Sequence, residues 1–293
     1  QAELAMKRAK EKRDRQLFFY DKSLAEDAND QMRLEDEIRS GVERGEFVAV
    51  YQPKIELETG EVIGAEALAR WRRPDGEVVS PGKFIPKAEE MGLIAKLGTS
   101  VLRDACMAAA KWNFGTRPVR VAVNVSPFQF EDPNFIPAVY EILDESGIRP
   151  ECLELEVTET AAVENPEKVV RIMRPLRAKG VRLAIDDFGT GHSNFTTVTR
   201  LPFDVFKIDQ QFVKALSTDP HAPAIIEMIL AMAETLDQET VAEGVETMEQ
   251  FDFLRRRACT IGQGYLFSPP LPGHEFQSYV NHWRSSSLIK RSA

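Results

Sequence analysis

Adjacent carboxylates, Asp186 and Asp187, close the apolar run Leu183–Ile185 and are followed at once by Gly189-Thr-Gly191. Two like charges at the end of a buried strand repel and are costly to desolvate unless a cation lies between them. The plain alternative is a solvated turn that carries two acids. Four further positions weigh against it. Glu66, Asn124, Glu156 and Glu243 each interrupt an apolar alternation near the end of a strand-like run. Together these six positions offer five carboxylates and one amide, with neither thiolate nor imidazole, a set that selects Mg2+ or Mn2+ over zinc. The histidines, His192, His221, His274 and His282, form no HxH or HExxH pair. Two ions bridged by Asp186 would explain how so many acids tolerate one another.

Two cationic side chains fit the same chemistry. Lys207 sits mid-strand in Val205-Phe-Lys-Ile-Asp209, where a lysine is disfavoured unless it pairs with acids. It is either a salt-bridge partner of the acid cluster or the group that positions and deprotonates a water between metals, with burial lowering its pKa. Arg70, four residues after Glu66, is either a surface residue or a guanidinium fork for a phosphate. No GxSxG elbow and no GxxxxGK[ST] loop is present, and Gly262-Gln-Gly264 is too short for a dinucleotide fingerprint. The residues by themselves lead to two-metal hydrolysis of a phosphate ester and leave the substrate open.

The elements that must position these groups alternate along the chain. Strand-like runs cover Phe47–Leu57, Val62–Trp71, Val119–Ser126, Leu153–Glu159, Arg182–Phe188, Asp204–Asp209, Glu239–Glu246 and Thr260–Phe267. Helical periodicity predicts helices over 27–44, through Leu97–Trp112, and over 135–145, 167–179, 222–236 and 248–257, with Gly147 and Gly180 as stops. Eight strands alternating with helices suggest a (β/α)8 TIM-like barrel, with a doubly wound open sheet as the alternative. Only Glu58-Thr-Gly-Glu61 separates the first two strands, so they read as a hairpin and one strand should run antiparallel. In a barrel the strand ends surround one mouth, so residues spread over the whole chain would converge.

The chain has 293 residues and a net charge of −9, which gives no broad attraction to nucleic acid polymers or anionic membranes. Cys106, Cys152 and Cys259 are far apart, which suits buried thiols in a reducing, cytoplasmic setting. No apolar run reaches the ~18 residues of a membrane span.

The motifs are specific as a set. Tyr51-Gln-Pro53, Glu66-Ala-Leu-Ala-Arg70, Val123-Asn-Val-Ser126, Leu155-Glu-Val-Thr-Glu159, Asp186-Asp-Phe-Gly-Thr-Gly191, Lys207-Ile-Asp209, Ala242-Glu-Gly-Val-Glu-Thr247 and Gln263-Gly-Tyr265 follow one another in order. The set resembles the EAL domain family of cyclic di-GMP phosphodiesterases over roughly residues 30–280. The resemblance implies opening of cyclic di-GMP to linear 5′-pGpG with two Mg2+ or Mn2+ ions. It implies Glu66, Asn124, Glu156 and Asp186 on one ion, and Asp186, Asp187 and Glu243 on the second. Lys207 would serve the attacking water. Glu159 would hold the loop after the Asp-Asp strand. Gln52, Leu68, Arg70, Glu246 and Gln263 would contact substrate. A homodimer through the barrel is also implied.

The chain departs from the family pattern at Gly191-His-Ser-Asn-Phe195, at Gln210-Gln211 and at Ala258-Cys-Thr260. Leu4–Lys10 and Phe18-Phe-Tyr20 resemble the closing helix and strand of a GGDEF domain. The expected layout is therefore an upstream GGDEF-like regulatory remnant over 1–25, the barrel over 26–284 and a tail over 285–293.

Overall fold

The computed structural model describes residues 22–112, 119–190 and 201–283, with side chains from residue 30 onward. The expectations for the first 21 residues, for the Gly191–Phe195 loop with His192 and for the tail fall outside the described residues.

Alternation builds the barrel wall. In Leu153-Glu-Leu-Glu-Val-Thr158 every second residue is aliphatic, and successive side chains on a strand face opposite ways. Leu153, Leu155 and Val157 pack outward with Val121, Val123, Leu183, Ile185, Phe206 and Ile208 in the layer beneath the helices. Glu154 and Glu156 are left facing inward.

Among the described residues, ten strands form one sheet: β1 (Phe47–Glu56), β2 (Val62–Arg72), β3 (Val78–Val79), β4 (Arg120–Asn124), β5 (Leu153–Thr158), β6 (Arg182–Phe188), β7 (Val205–Ile208), β8 (Glu239–Ala242), β9 (Ile261–Gln263) and β10 (Leu271–Pro272). Eight of them close in the order β1-β2-β4-β5-β6-β7-β8-β9 and back to β1, with β3 and β10 as short additions. From β2 to β9 every neighbouring pair is parallel. β1 is antiparallel to both β2 and β9. Closure excludes the open sheet and gives the expected TIM-like barrel with its one reversed strand.

Helices over Ile94–Trp112, Phe135–Ser146, Pro166–Ala178, Ala222–Thr235 and Met248–Arg256 cover the wall. The second of these stops where predicted, at Gly147 with φ 66°. The first helix runs over Lys22–Arg44, longer than its periodicity predicted, and buries Ile38 fully. Ile38 joins Phe47, Trp71, Phe84, Ile94 and Leu97 in a second apolar cluster.

Most strands are a little shorter than their sequence patterns, and two, β8 and β9, end four residues early. β8 stops at Ala242, ahead of Gly244 at φ 66°, and β9 stops at Gln263, whose carbonyl accepts from the Val245 N–H where Gly264 packs against the Val245 main chain. The residues beyond these stops lie on loops at the barrel mouth. The helices Pro81–Glu90 and Gly273–His282 were not anticipated, the first because Pro86 lies inside it.

The barrel interior is polar as well as apolar. Ala184, Val205, Val241 and Ile261 make a small apolar layer. Around it runs a chain of alternating charge. Arg120 and Arg182 hold Glu239 at 2.7 and 2.9 Å, and Lys54 holds Glu154 and Glu156, each at 2.8 Å.

Candidate metal centre

The wall delivers its inward-facing polar residues to one place. Lys207 lies at the centre, with no exposed surface. Its Nζ is 2.5 Å from Glu156 Oε2, 2.7 Å from Glu243 Oε1, 3.0 Å from Asp186 Oδ1 and 3.6 Å from Glu66 Oε2. Strands β2, β5, β6 and β7 and the loop after β8 therefore meet on one ammonium. Asn124 donates to Glu66 Oε1 at 2.6 Å. Gln263 donates to Glu66 Oε2 at 2.7 Å and to Gln52 Oε1 at 3.0 Å, and Gln52 donates to the Ser268 carbonyl at 3.3 Å.

Asp186 and Asp187 reach the same mouth by breaking the alternation. Neighbouring residues on a regular strand face opposite ways. Here the β6–β7 register shifts between Ile185 and Phe188, and Asp187 takes φ 54°. The left-handed residue makes a bulge that re-aims a side chain. The backbone N–H of Asp187 donates to Asp186 Oδ1 at 2.9 Å. Carboxylate oxygens of Asp186, Asp187 and Glu243 come within 4.8 Å of one another.

Glu159, buried at the first turn after β5, accepts from the Gly189 N–H at 2.7 Å and so tethers the loop that follows the bulge. The remaining candidates line the open side. Gln52, Leu68, Arg70, Glu246 and Gln263 border a cavity of about 330 Å3 together with Gln210, Lys214, Tyr265 and Pro270. Arg70 is half-buried and donates to the Ala69 carbonyl at 2.8 Å. Glu246 stands apart from the acid cluster and pairs with Lys214 at 3.5 Å.

The charges explain what the site can hold. Burial, with Asp186 and Glu66 adding to it, pushes Glu243 up to about 8 against the pull of Lys207. Burial, then Asp186, pushes Asp187 up to about 6. Burial and Glu66 also raise Glu156. Lys207 behaves contrary to the expectation that burial lowers it. Burial does pull its pKa down, but Asp186, Glu156, Glu243 and Glu66 override that pull and hold it well above the ordinary lysine value.

Among the described residues, the carboxyl groups that these contacts gather (Glu66, Glu154, Glu156, Asp186, Asp187, Glu239, Glu243, with Asp209 beside Asp187) outnumber the cations among them (Lys54, Arg120, Arg182, Lys207), and burial together with this surplus of acids is what raises Glu243 and Asp187. The buried Oε1 of Gln263 meets no hydrogen-bond partner among the described residues. A hard divalent cation answers the surplus, and the all-oxygen donor set matches Mg2+ or Mn2+. The residues present fit such a group.

Sequence reasoning missed Lys54, Gln210 and Lys214. Lys54 carried a legible signal, since it alternates with Gln52 on β1 as a lysine among apolar neighbours. Gln210 and Lys214 belong to a short helix, Gln210–Ala215, whose position follows only from the closed barrel.

Comparison with known proteins agrees with this geometry. The family model described as EAL domain matches residues 35–270. The bifunctional diguanylate cyclase/cyclic di-GMP phosphodiesterase MucR of Pseudomonas aeruginosa is 38% identical over 280 residues, covering 95% of this chain and 41% of that protein. The cyclic di-GMP phosphodiesterase PA2567 of the same organism is 38% identical over 240 residues, covering 82% of this chain and 41% of that protein. A solved structure of the PaMucR phosphodiesterase in complex with c-di-GMP superposes with a TM-score of 0.80 at 39% identity, covering 83% of this chain and 99% of that one. The chain thus spans about two fifths of the length of these two curated relatives.

Proposed function

The chain belongs to the EAL domain family, and from that premise we propose that it is a two-metal phosphodiesterase hydrolysing cyclic di-GMP to linear 5′-pGpG. The observation that carries the proposal is the convergence of Glu66, Glu156, Asp186 and Glu243 on Lys207 at a single mouth. Among the donors, Glu66, Asn124, Glu156 and Asp186 are assigned to one ion, and Asp186, Asp187 and Glu243 to the other. Two such ions would supply charge neutralisation at the phosphodiester and a water acidic enough to attack at neutral pH.

The protein's own groups do the rest. Lys207 lies within reach of four carboxylates, where its ammonium holds them in register and serves to orient the attacking water. Arg70 stands at the open side of the cavity, where its fork suits a non-bridging phosphate oxygen. Gln52 and Gln263 form a hydrogen-bonded pair beside Glu66, with polar atoms available to a nucleotide. Leu68 offers an apolar wall to a base, and Glu246 an acceptor at the rim. Glu159 keeps the Gly189 turn in place beneath Asp187.

The competing reading is a module that binds cyclic di-GMP without cleaving it; the complete oxygen set and the central lysine favour the enzyme. Incubation with cyclic di-GMP and Mg2+ or Mn2+ tests the choice, with formation of pGpG expected. Binding without product would overturn the enzymatic reading. In Lys207→Ala we expect turnover to fall by about 10²-fold or more, with a much smaller change in cyclic di-GMP affinity. Equal loss of both would remove Lys207 from the water.

A further inference from the structure

The proposed chemistry uses Lys207 and leaves a second buried lysine without a role. Lys54 on β1 is 4% exposed, and its Nζ lies 2.8 Å from Glu154 Oε1 and 2.8 Å from Glu156 Oε1. Burying an ammonium is costly unless its partners are well placed. Glu156, itself fully buried, gives its other oxygen, Oε2, to Lys207 at 2.5 Å. The carboxylate is therefore gripped at both oxygens, by an ammonium from the closed end of the barrel and by one from the mouth. Glu154 is additionally held by Arg182 at 3.7 Å, so Lys54 is not its only cation.

We propose that Lys54 is a positioning residue for Glu156. By occupying Oε1 it leaves Oε2 as the single oxygen turned toward the mouth, and so fixes both the rotamer and the one-oxygen ligation of that side chain. The role presupposes the assignment of Glu156 to an ion. The antiparallel course of β1 makes it possible, because Lys54 enters the interior from the reversed strand and reaches across the barrel to β5.

The test is a Mn2+ titration by calorimetry alongside thermal unfolding. The double substitution K54M–E154M replaces the ion pair with apolar residues of similar length, an exchange that buried pairs often tolerate without loss of stability. It is expected to weaken Mn2+ binding by about tenfold, the scale for removing a partner that orients a ligand, with Tm close to that of the unaltered chain. The single substitution E154Q keeps Lys54 on Glu156 and is expected to leave Mn2+ affinity within about twofold, well short of that scale. Should the double variant not fold, K54M–E154Q, which keeps a polar, uncharged group beside Arg182, carries the same titration. Unchanged Mn2+ affinity in the variants lacking Lys54, or an equal loss in E154Q, overturns the role of Lys54 while leaving the ion assignment standing. No Mn2+ uptake by the unaltered chain overturns both.

Discussion

Glu243 and Asp187 tie the charge of the site to pH. Glu243 releases its proton at about 8 in the folded chain, against an ordinary 4.5, because burial outweighs the attraction of Lys207. Between those values the folded state binds more protons than the unfolded chain, so this group's contribution to stability is full below 4.5 and is lost as pH rises through about 8. Asp187 follows the same sign over a lower window, from 3.8 to about 6. Divalent ions take the ionised carboxylates, so Mn2+ should stabilise the protein more at about pH 8.5 than at about pH 6. Thermal unfolding with and without Mn2+ checks this, and Glu243→Gln should flatten the dependence. A Mn2+-induced shift in Tm that is equal at both pH values would show that these protons do not compete with the ion. Of the residues at the site, the acids were legible in the sequence because each breaks a local apolar alternation. The pKa of Lys207 was not, since its direction depends on four carboxylates brought from distant strands.

Among the elements, the β6 bulge decides the most. The sequence places Asp186 next to Asp187, and a regular strand would send them to opposite faces. Adjacency alone could not reveal the φ of 54° that turns both toward the mouth. Aspartate tolerates this left-handed conformation better than alanine does. Asp187→Gly should therefore keep stability near that of the unaltered chain, while Asp187→Ala should lose about 1 kcal/mol. Both should lose one of two Mn2+ equivalents. Urea unfolding and Mn2+ stoichiometry separate these effects, and retention of both ions in the glycine variant would remove Asp187 from the second site. Gly264 is a second backbone device. A Cβ there would meet the Val245 carbonyl oxygen at 2.2 Å, a contact with main chain that no rotamer relieves. Gly264→Ala should displace the adjacent Gln263 and weaken cyclic di-GMP binding by about tenfold, the scale of a lost polar contact, as measured by calorimetry. Strand positions were readable because alternation is a local signal. Their ends at Ala242 and Gln263 were not, because the left-handed Gly244 and the packing of Gly264 on the Val245 main chain are set by tertiary structure.

At the scale of the molecule, closure rests on a seam that comes late in the chain. The helix Gly273–His282 carries Phe276, fully buried, with its ring 4.5 Å from Trp112 and 6.0 Å from Tyr51 on β1. Phe276→Ala should cost about 3–5 kcal/mol, the range for deleting a buried aromatic ring. Denaturant unfolding measures the loss, and a cost below about 1 kcal/mol would mean that the seam does not depend on this ring. The barrel class was legible in the strand–helix rhythm, and the short Glu58–Glu61 connection disclosed the reversed strand. The reversal also sets the wiring of the molecule. Phe47, the first residue of β1, pairs with Trp71 near the end of β2, so the chain enters the barrel wall at the mouth rim. In an all-parallel barrel the first strand would begin at the opposite, closed end. Here the helix Lys22–Arg44 leads into β1 at the rim, and its Ile38 packs with Phe47 and Trp71 of the β1–β2 hairpin, on which Gln52 stands opposite Glu66. The rim through which the chain arrives and the mouth that collects the inward-facing acids are therefore the same end of the barrel.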